Sequence, residues 1–270
     1  MLQKKKIAVI GVGKMGGGLL EGILSQKLIT PKAISIYDKV SERLDELKQI
    51  HGVRLAVDTR DVLTDADIVI LGVKPQNMQE VLMEIQTDLN ENQLIISIAA
   101  GISTSFIEEL LVKKVRVIRV MPNMPALIGC GATALARGES ATEEDIGCAL
   151  QIFDAVGISV VVTEDLMDAV TGLSGSGPAY GFMMIEALSD AGVLMGLPRD
   201  TALKLAAQTM LGAATLCLQS QKHPAALKDM ITSPGGTTIA GLKVLEEGKF
   251  RASLMKAVEA AALRSKALGR

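Results

Sequence analysis

Lys6-Ile7-Ala8-Val9-Ile10-Gly11-Val12-Gly13-Lys14-Met15-Gly16 decides the fold of this chain. A lysine and four apolar residues run straight into a G-x-G-x-x-G string. So short an unbroken apolar run reads as a strand buried on both faces of a parallel sheet. Gly11 and Gly13 permit a tight turn and let a pyrophosphate touch the backbone, while Gly16 lets the following helix lie close to the strand. The start of that helix offers free N–H groups to an anion. Asp38 stands 22 residues beyond Gly16, at the end of the next candidate strand, where a carboxylate would meet an adenosine ribose.

Outward from this stretch the rhythm continues. Segments 33–37, 68–73, 94–98 and 115–120 read as strands, with helices expected over 15–26, 41–49, 78–89 and 103–111. A further strand, helix and strand are expected near 132–136, 142–155 and 159–162. Alternation of this kind predicts an α/β fold, a Rossmann-type doubly wound parallel sheet. After about Glu164 the strand signal stops, and 168–191, 199–219, 237–247 and 251–268 all read as helix. The expected division is a dinucleotide-binding domain over 1–163 and an all-α domain over 164–270. In the helix from Arg199, Leu203, Leu205, Met210, Leu211, Leu216 and Leu218 face nearly every direction. A helix apolar all round needs cover on all sides, which predicts that a second copy of the chain supplies it.

At 270 residues, two domains are the natural reading. With 49% hydrophobic and 21% charged residues the chain can bury a large core, which excludes extensive disorder. A net charge of -2 gives no basic footprint for nucleic acid or a membrane surface. The apolar run 7–10 is too short for a secretory signal, and 203–218 is too short to span a bilayer. Cys130, Cys148 and Cys217 show no metal or redox spacing and read as three buried thiols. A cytoplasmic protein without a metal is expected.

Several loops extend the site. Gly72-Val73-Lys74-Pro75 closes the strand 68–73, and Ala99-Ala100-Gly101 closes 94–98. Small residues at the carboxyl ends of parallel strands leave room for a dinucleotide. Met121-Pro122-Asn123-Met124-Pro125 follows 115–120, with Asn123 available to hydrogen-bond. Asp38 favours NADH by repelling a 2′-phosphate, and Lys39 beside it could attract one, so both NADPH and NADH stay open.

In the helical half, Ser174-Gly175-Ser176-Gly177-Pro178 interrupts a helix. Interior Gly and Pro cost roughly 1 and 3 kcal/mol relative to Ala, so a kink or a close backbone approach is implied. Thr232-Ser233-Pro234-Gly235-Gly236-Thr237-Thr238 precedes another helix, which Thr237 or Thr238 can cap. Its inward-turned N–H groups suit a carboxylate or phosphate. The only histidines are His51 and His223, the latter beside Pro224 in an expected surface turn, and neither joins a His–carboxylate motif. Hydroxyls and amides without an evident acid suit a substrate that is already electrophilic. A protonated imine is one, because hydride addition at its carbon asks for little beyond positioning.

Taken in order, Gly11–Gly16, Val73-Lys74-Pro75, Ser97-Ile98-Ala99-Ala100-Gly101, Val120-Met121-Pro122-Asn123, Ser174-Gly175-Ser176-Gly177-Pro178-Ala179-Tyr180 and Ser233-Pro234-Gly235-Gly236-Thr237-Thr238 resemble the motifs of the pyrroline-5-carboxylate reductases over essentially the whole chain. The resemblance implies reduction of a cyclic imine carboxylate, 1-pyrroline-5-carboxylate, to L-proline with NADPH or NADH, the last step of proline biosynthesis. It implies a homo-oligomer built on a dimer of the helical domains. Carried over by position, Gly11, Val12, Gly13, Lys14, Met15, Gly16, Gly72, Val73, Lys74, Pro75, Ile98, Ala99 and Ala100 would hold the cofactor, with Asp38, Thr59 and Asn123 as further cofactor candidates. Ser176, Gly236, Thr237, Thr238 and Ser233 would hold the substrate, with Thr238 and Ser176 the catalytic candidates. The chain departs from the family pattern at Met124, usually Thr, at Thr59, often Asn, and at Gln221, Glu in some members. The alternative is a two-domain reductase of the β-hydroxyacid dehydrogenase kind. Such enzymes place a lysine four residues before an asparagine in the helical half, and no asparagine follows Asn123.

Overall fold

A computed structural model describes residues 2–269. The chain forms two compact units, one made of residues up to Gly175 with those from Ala260 onward, the other of Ser176–Glu259.

In the first unit eight strands form one sheet: β1 (Ile7–Ile10), β2 (Ile34–Tyr37), β3 (Arg54–Leu55), β4 (Ile68–Leu71), β5 (Leu94–Ser97), β6 (Arg116–Met121), β7 (Gly131–Arg137) and β8 (Gly157–Val161). Their order is β3-β2-β1-β4-β5-β6-β7-β8, and the pairs are parallel except β6 with β7. The order reverses between β1 and β4, which is where open α/β sheets bind ligands. Helices α1 (Lys14–Ser25), α2 (Ser41–His51), α3 (Thr59–Leu63), α4 (Met78–Ile85), α5 (Thr104–Leu110) and α6 (Glu143–Phe153) cover the sheet. Strand periodicity sorts the core into two layers. Ile7, Val9, Ile34, Ile36, Ile68 and Ile70 join Leu19 and Ile23 of α1 on one face. Ala8, Ile10, Val69 and Leu71 meet Val81, Leu82 and Ile85 of α4 on the other. Each such buried aliphatic side chain contributes about 1.5–3 kcal/mol, which keeps the strand ends in fixed register.

The expectation of three buried thiols needs correction. Cys130 is exposed, not buried, because the left-handed Gly129 ends the turn Met124–Ile128 and throws the next residue to the surface. Only Cys148 is buried, and Cys217 is intermediate. The short strand β3 and helix α3 also went unforeseen. Arg54 and Leu55 carry no apolar run, and five residues are too few to show a helical period.

Helix α7 (Met167–Val170) passes into a π-helical turn, Thr171–Gly175, and α8 (Gly177–Leu194) starts afresh with Pro178 in its first turn. The expected interruption is therefore a widened turn followed by a new helix. In the second unit α8 and α9 (Arg199–Ser220) form a hairpin, with α10 (Pro224–Met230), α11 (Thr237–Glu247) and the first part of α12 (Phe250–Leu268) following. At Gly192 an added Cβ would lie 2.9 Å from that of Ala202, so the hairpin closes tightly there. His223 does not sit in a plain turn: it caps α10, its Nδ1 accepting from Ala225 N at 3.2 Å, with Pro224 at the first helical position.

Among the described residues of this unit only Ser189, Ala202 and Ala206 are buried. Leu205, Leu211, Leu216 and Leu218 of α9 are all exposed. Helix α9 runs 22 residues, longer than the 203–218 stretch, and an 18-residue window of it reaches mean hydropathy 1.2, enough to cross a membrane by length and composition alone.

Candidate functional site

The carboxyl ends of four neighbouring strands are tied at one level by backbone bonds. Gly11 N donates to Tyr37 O at 2.8 Å, Gly72 N to Ile10 O at 2.8 Å and Ile98 N to Leu71 O at 3.1 Å. The last residues of β2, β1, β4 and β5 therefore share one edge. Beside it opens a cleft of about 250 Å³, walled by the Gly11 turn, by Asp38 and Lys39 after β2, by Thr59, by Gly72-Val73-Lys74 after β4, and by Val81 and Glu84 of α4.

The glycine turn leaves backbone and open space that could hold a diphosphate. Gly11 takes φ +92°, a left-handed conformation that a side chain would strain, and a Cβ there would press within 2.7 Å of Gly72. A Cβ at Gly16 would lie 2.1 Å from Gly11 O, so α1 can approach β1 this closely only through glycine. Gly13 is different. Its φ of -60° suits any residue, and an added Cβ would meet nothing within 4 Å. Gly13 is the N-cap of α1 and no side chain caps that helix. Open space above an uncapped helix start with its positive dipole end is a cradle for phosphate oxygens.

Asp38 is fixed in place by the chain itself. Its Oδ2 accepts from Val12 N at 2.8 Å and its Oδ1 from Val40 N at 3.0 Å. One carboxylate thus joins the end of β2 to the glycine turn and faces the cleft. Lys39, exposed, gives its Nζ to Glu80 Oε1 at 2.8 Å, and the Glu80 carboxylate raises its pKa, with Glu84 adding to the effect. Thr59 is buried and donates through Oγ1 to Glu84 Oε1 at 2.7 Å.

Of the cofactor candidates, the cleft gathers Gly11, Asp38, Thr59, Gly72, Val73 and Lys74. Val12 is buried behind the turn, and Gly13, Lys14, Met15 and Gly16 open α1. Pro75 begins a 3₁₀ turn after β4, and Ile98, Ala99 and Ala100 follow β5. Asn123 is buried as a brace: Nδ2 donates to Ser174 O and Oδ1 accepts from Ala132 N, each at 3.0 Å. Sequence reading missed Tyr37, Asn77, Val81 and Glu84 as cleft walls. Their signal is the inner face of α4 and the residue before Asp38, legible only once the sheet order is known.

In the second unit Ser176 is the N-cap of α8 and Gly236 that of α11, and no side chain caps either helix. Thr237 and Thr238 lie in the first turn of α11 and do not cap it, because Gly236 already occupies the capping position. Before it, Gly235 takes φ +67°, and Gly236 N donates to Ser233 O at 3.1 Å. A Cβ at Gly236 would lie 2.2 Å from Ser233 Oγ, so a side chain there would make the serine hydroxyl swing aside.

Residues 6–101 match the family described as NADP oxidoreductase, coenzyme F420-dependent. With the glycine turn and the cleft carboxylate above, this makes the chain an NAD(P)H-dependent oxidoreductase. Residues 164–268 match the pyrroline-5-carboxylate reductase dimerisation family. The pyrroline-5-carboxylate reductase of Methanosarcina acetivorans is 47% identical, with 100% of both chains covered. That of Arabidopsis thaliana is 45% identical over 97% of this chain and 95% of its own. Among solved structures, the enzyme of Coxiella burnetii superposes with TM-score 0.95 at 38% identity, covering 98% of this chain and 99% of that one. The Plasmodium falciparum enzyme, solved with NADP bound, gives 0.88 at 33% identity with full coverage of both. The chain belongs to the pyrroline-5-carboxylate reductase family, whose reaction is the reduction of 1-pyrroline-5-carboxylate to L-proline.

Proposed function

We propose that residues 1–163 seat the dinucleotide and that residues 164–270 hold the imine and pair with a second copy of the chain, in a soluble cytoplasmic enzyme. Bound NADPH or NADH supplies the hydride. Gly13 and the first amides of α1 would receive the pyrophosphate, Asp38 the adenosine ribose, and the small residues after β4 and β5 the rest of the dinucleotide. The substrate carboxylate would lie on the amides that open α11, with the hydroxyls of Thr237 and Thr238, Gly236 and, at the rim, Ser233. Ser176, opening α8, would join Thr238 beside the ring. Hydride adds to the imine carbon, the C=N π electrons move to the nitrogen, and the nitrogen keeps the proton it already carries. The residues have only to position the ring, which is why hydroxyls and amides suffice.

The observation that carries this reading is the start of α11, where a glycine N-cap leaves first-turn amides and two threonine hydroxyls to a ligand. Thr238→Ala should raise KM for the imine by roughly 5- to 30-fold, the loss of one hydrogen bond to a charged group at about 1–2 kcal/mol. KM for the cofactor should move far less. Equal changes in both constants would take Thr238 out of the substrate pocket. Turnover of 3-hydroxyacids in place of the imine would favour the β-hydroxyacid dehydrogenase alternative.

A further inference from the structure

We infer that this chain prefers NADH to NADPH, and that Asp38, together with the Glu80 that occupies Lys39, sets the preference. The inference rests on the cleft being the adenosine half of the cofactor site. Choice between the two cofactors turns on one group, a ribose 2′-hydroxyl or a 2′-phosphate. A fixed carboxylate accepts a hydrogen bond from the hydroxyl and repels the phosphate. Asp38 is such a carboxylate, since bonds from Val12 N and Val40 N at 2.8 and 3.0 Å hold both oxygens on one side of the cleft. A side chain so tied cannot swing away to admit a second anion.

A phosphate could still be accepted if a cation neutralised it. Lys39 and Lys74 are the two basic residues among the cleft walls. Lys39, next to Asp38, has its ammonium on Glu80 Oε1 at 2.8 Å, and Glu84 stands on the same side. Freeing it for a phosphate would leave Glu80 unpaired near a dianion. Lys74 follows β4, and the order β2-β1-β4 separates its strand from that of Asp38 by two strand spacings. That is about 10 Å, which leaves Lys74 on the opposite wall. Arg43, on α2, spans Glu21 and Glu46 at 3.2 and 2.6 Å. At this end Asp38 and Glu84 line the cleft, and the one ammonium beside them, that of Lys39, is held by Glu80.

The test is direct binding of NADH and NADPH to the whole protein, read by nicotinamide fluorescence or calorimetry without substrate. It is backed by initial rates with each cofactor at one imine concentration. Wild type should bind NADH tighter by roughly 10-fold or more, the scale of one unfavourable charge pair at a partly exposed site. Asp38→Asn, which keeps an acceptor for Val12 N but removes the charge, should narrow the gap. Glu80→Gln, on an exposed side chain, should raise the NADPH-to-NADH affinity ratio several-fold by releasing Lys39. Wild type binding NADPH as tightly as NADH, or a ratio unmoved by both substitutions, overturns the inference and leaves the family activity standing. Absence of binding by either dinucleotide would instead sink the cofactor site itself.

Discussion

Gly13→Val should cost the protein its dinucleotide while leaving its fold in place. The backbone at Gly13 already has φ -60°, open to any residue, and a Cβ there touches nothing. Valine is a poorer N-cap than glycine, a cost of about 1 kcal/mol that lowers Tm by only a few degrees. Its two methyl groups, however, fill the space above the α1 amides. Losing two charge-assisted contacts to the pyrophosphate, at about 1.5–3 kcal/mol each, weakens binding by roughly 100-fold or more. Calorimetric titration with NADH and NADPH, set beside a thermal melt, measures both halves of the expectation. Unchanged affinity would remove the glycine turn from the cofactor site. Gly16→Ala is the counterpart: its Cβ would fall 2.1 Å from Gly11 O, so β1 and α1 must separate and Tm should drop sharply. Two glycines of one motif thus answer to different demands, ligand space at Gly13 and chain packing at Gly16.

The parallel sheet was legible because β1 and β4, buried on both faces, are bare apolar runs, and the glycine turn follows the first of them directly. The two-residue β3 has no such run. α10 escaped notice because Pro224 reads as a breaker, although the first helical position is where proline fits best. The near side of the proposed cofactor site, Gly11 through Gly16 and Asp38, is local in sequence and could be read. Its far wall could not. Val81 and Glu84 belong to a helix whose inward face is defined only by the sheet it covers, and Glu80 meets Lys39 across 41 residues. A lysine beside Asp38 looked like a phosphate anchor until its partner appeared. In the helical half the two polar turns stood out because glycine and proline there had no structural excuse, but which residue caps each helix needed backbone angles.

The second large effect concerns the apolar surface of α9. Leu205, Thr209, Gly212 and Leu216 fall at helical spacing along one side, with Leu205 and Leu216 55% and 51% exposed. Ala202 and Ala206, on the adjoining face, are buried, and Ala202 meets Gly192 of α8. A unit whose buried side chains are one serine and two alanines cannot be held together by its own core. A partner covering the stripe would supply about 1.5–3 kcal/mol for each leucine it buries. Leu216→Glu puts a carboxylate into that contact, where desolvation without a counter-charge costs several kcal/mol. Sedimentation velocity should show wild type as a dimer or larger, and the variant as monomer or aggregate with imine-dependent activity down roughly 100-fold or more. NADH binding should persist in any soluble monomer, because the cleft and both core layers behind it belong to the first unit. Leu216→Met, close in volume, should keep both assembly and activity. A wild type that is monomeric at micromolar concentration, or a Leu216→Glu protein of unchanged size and rate, would mean that no second copy covers this helix.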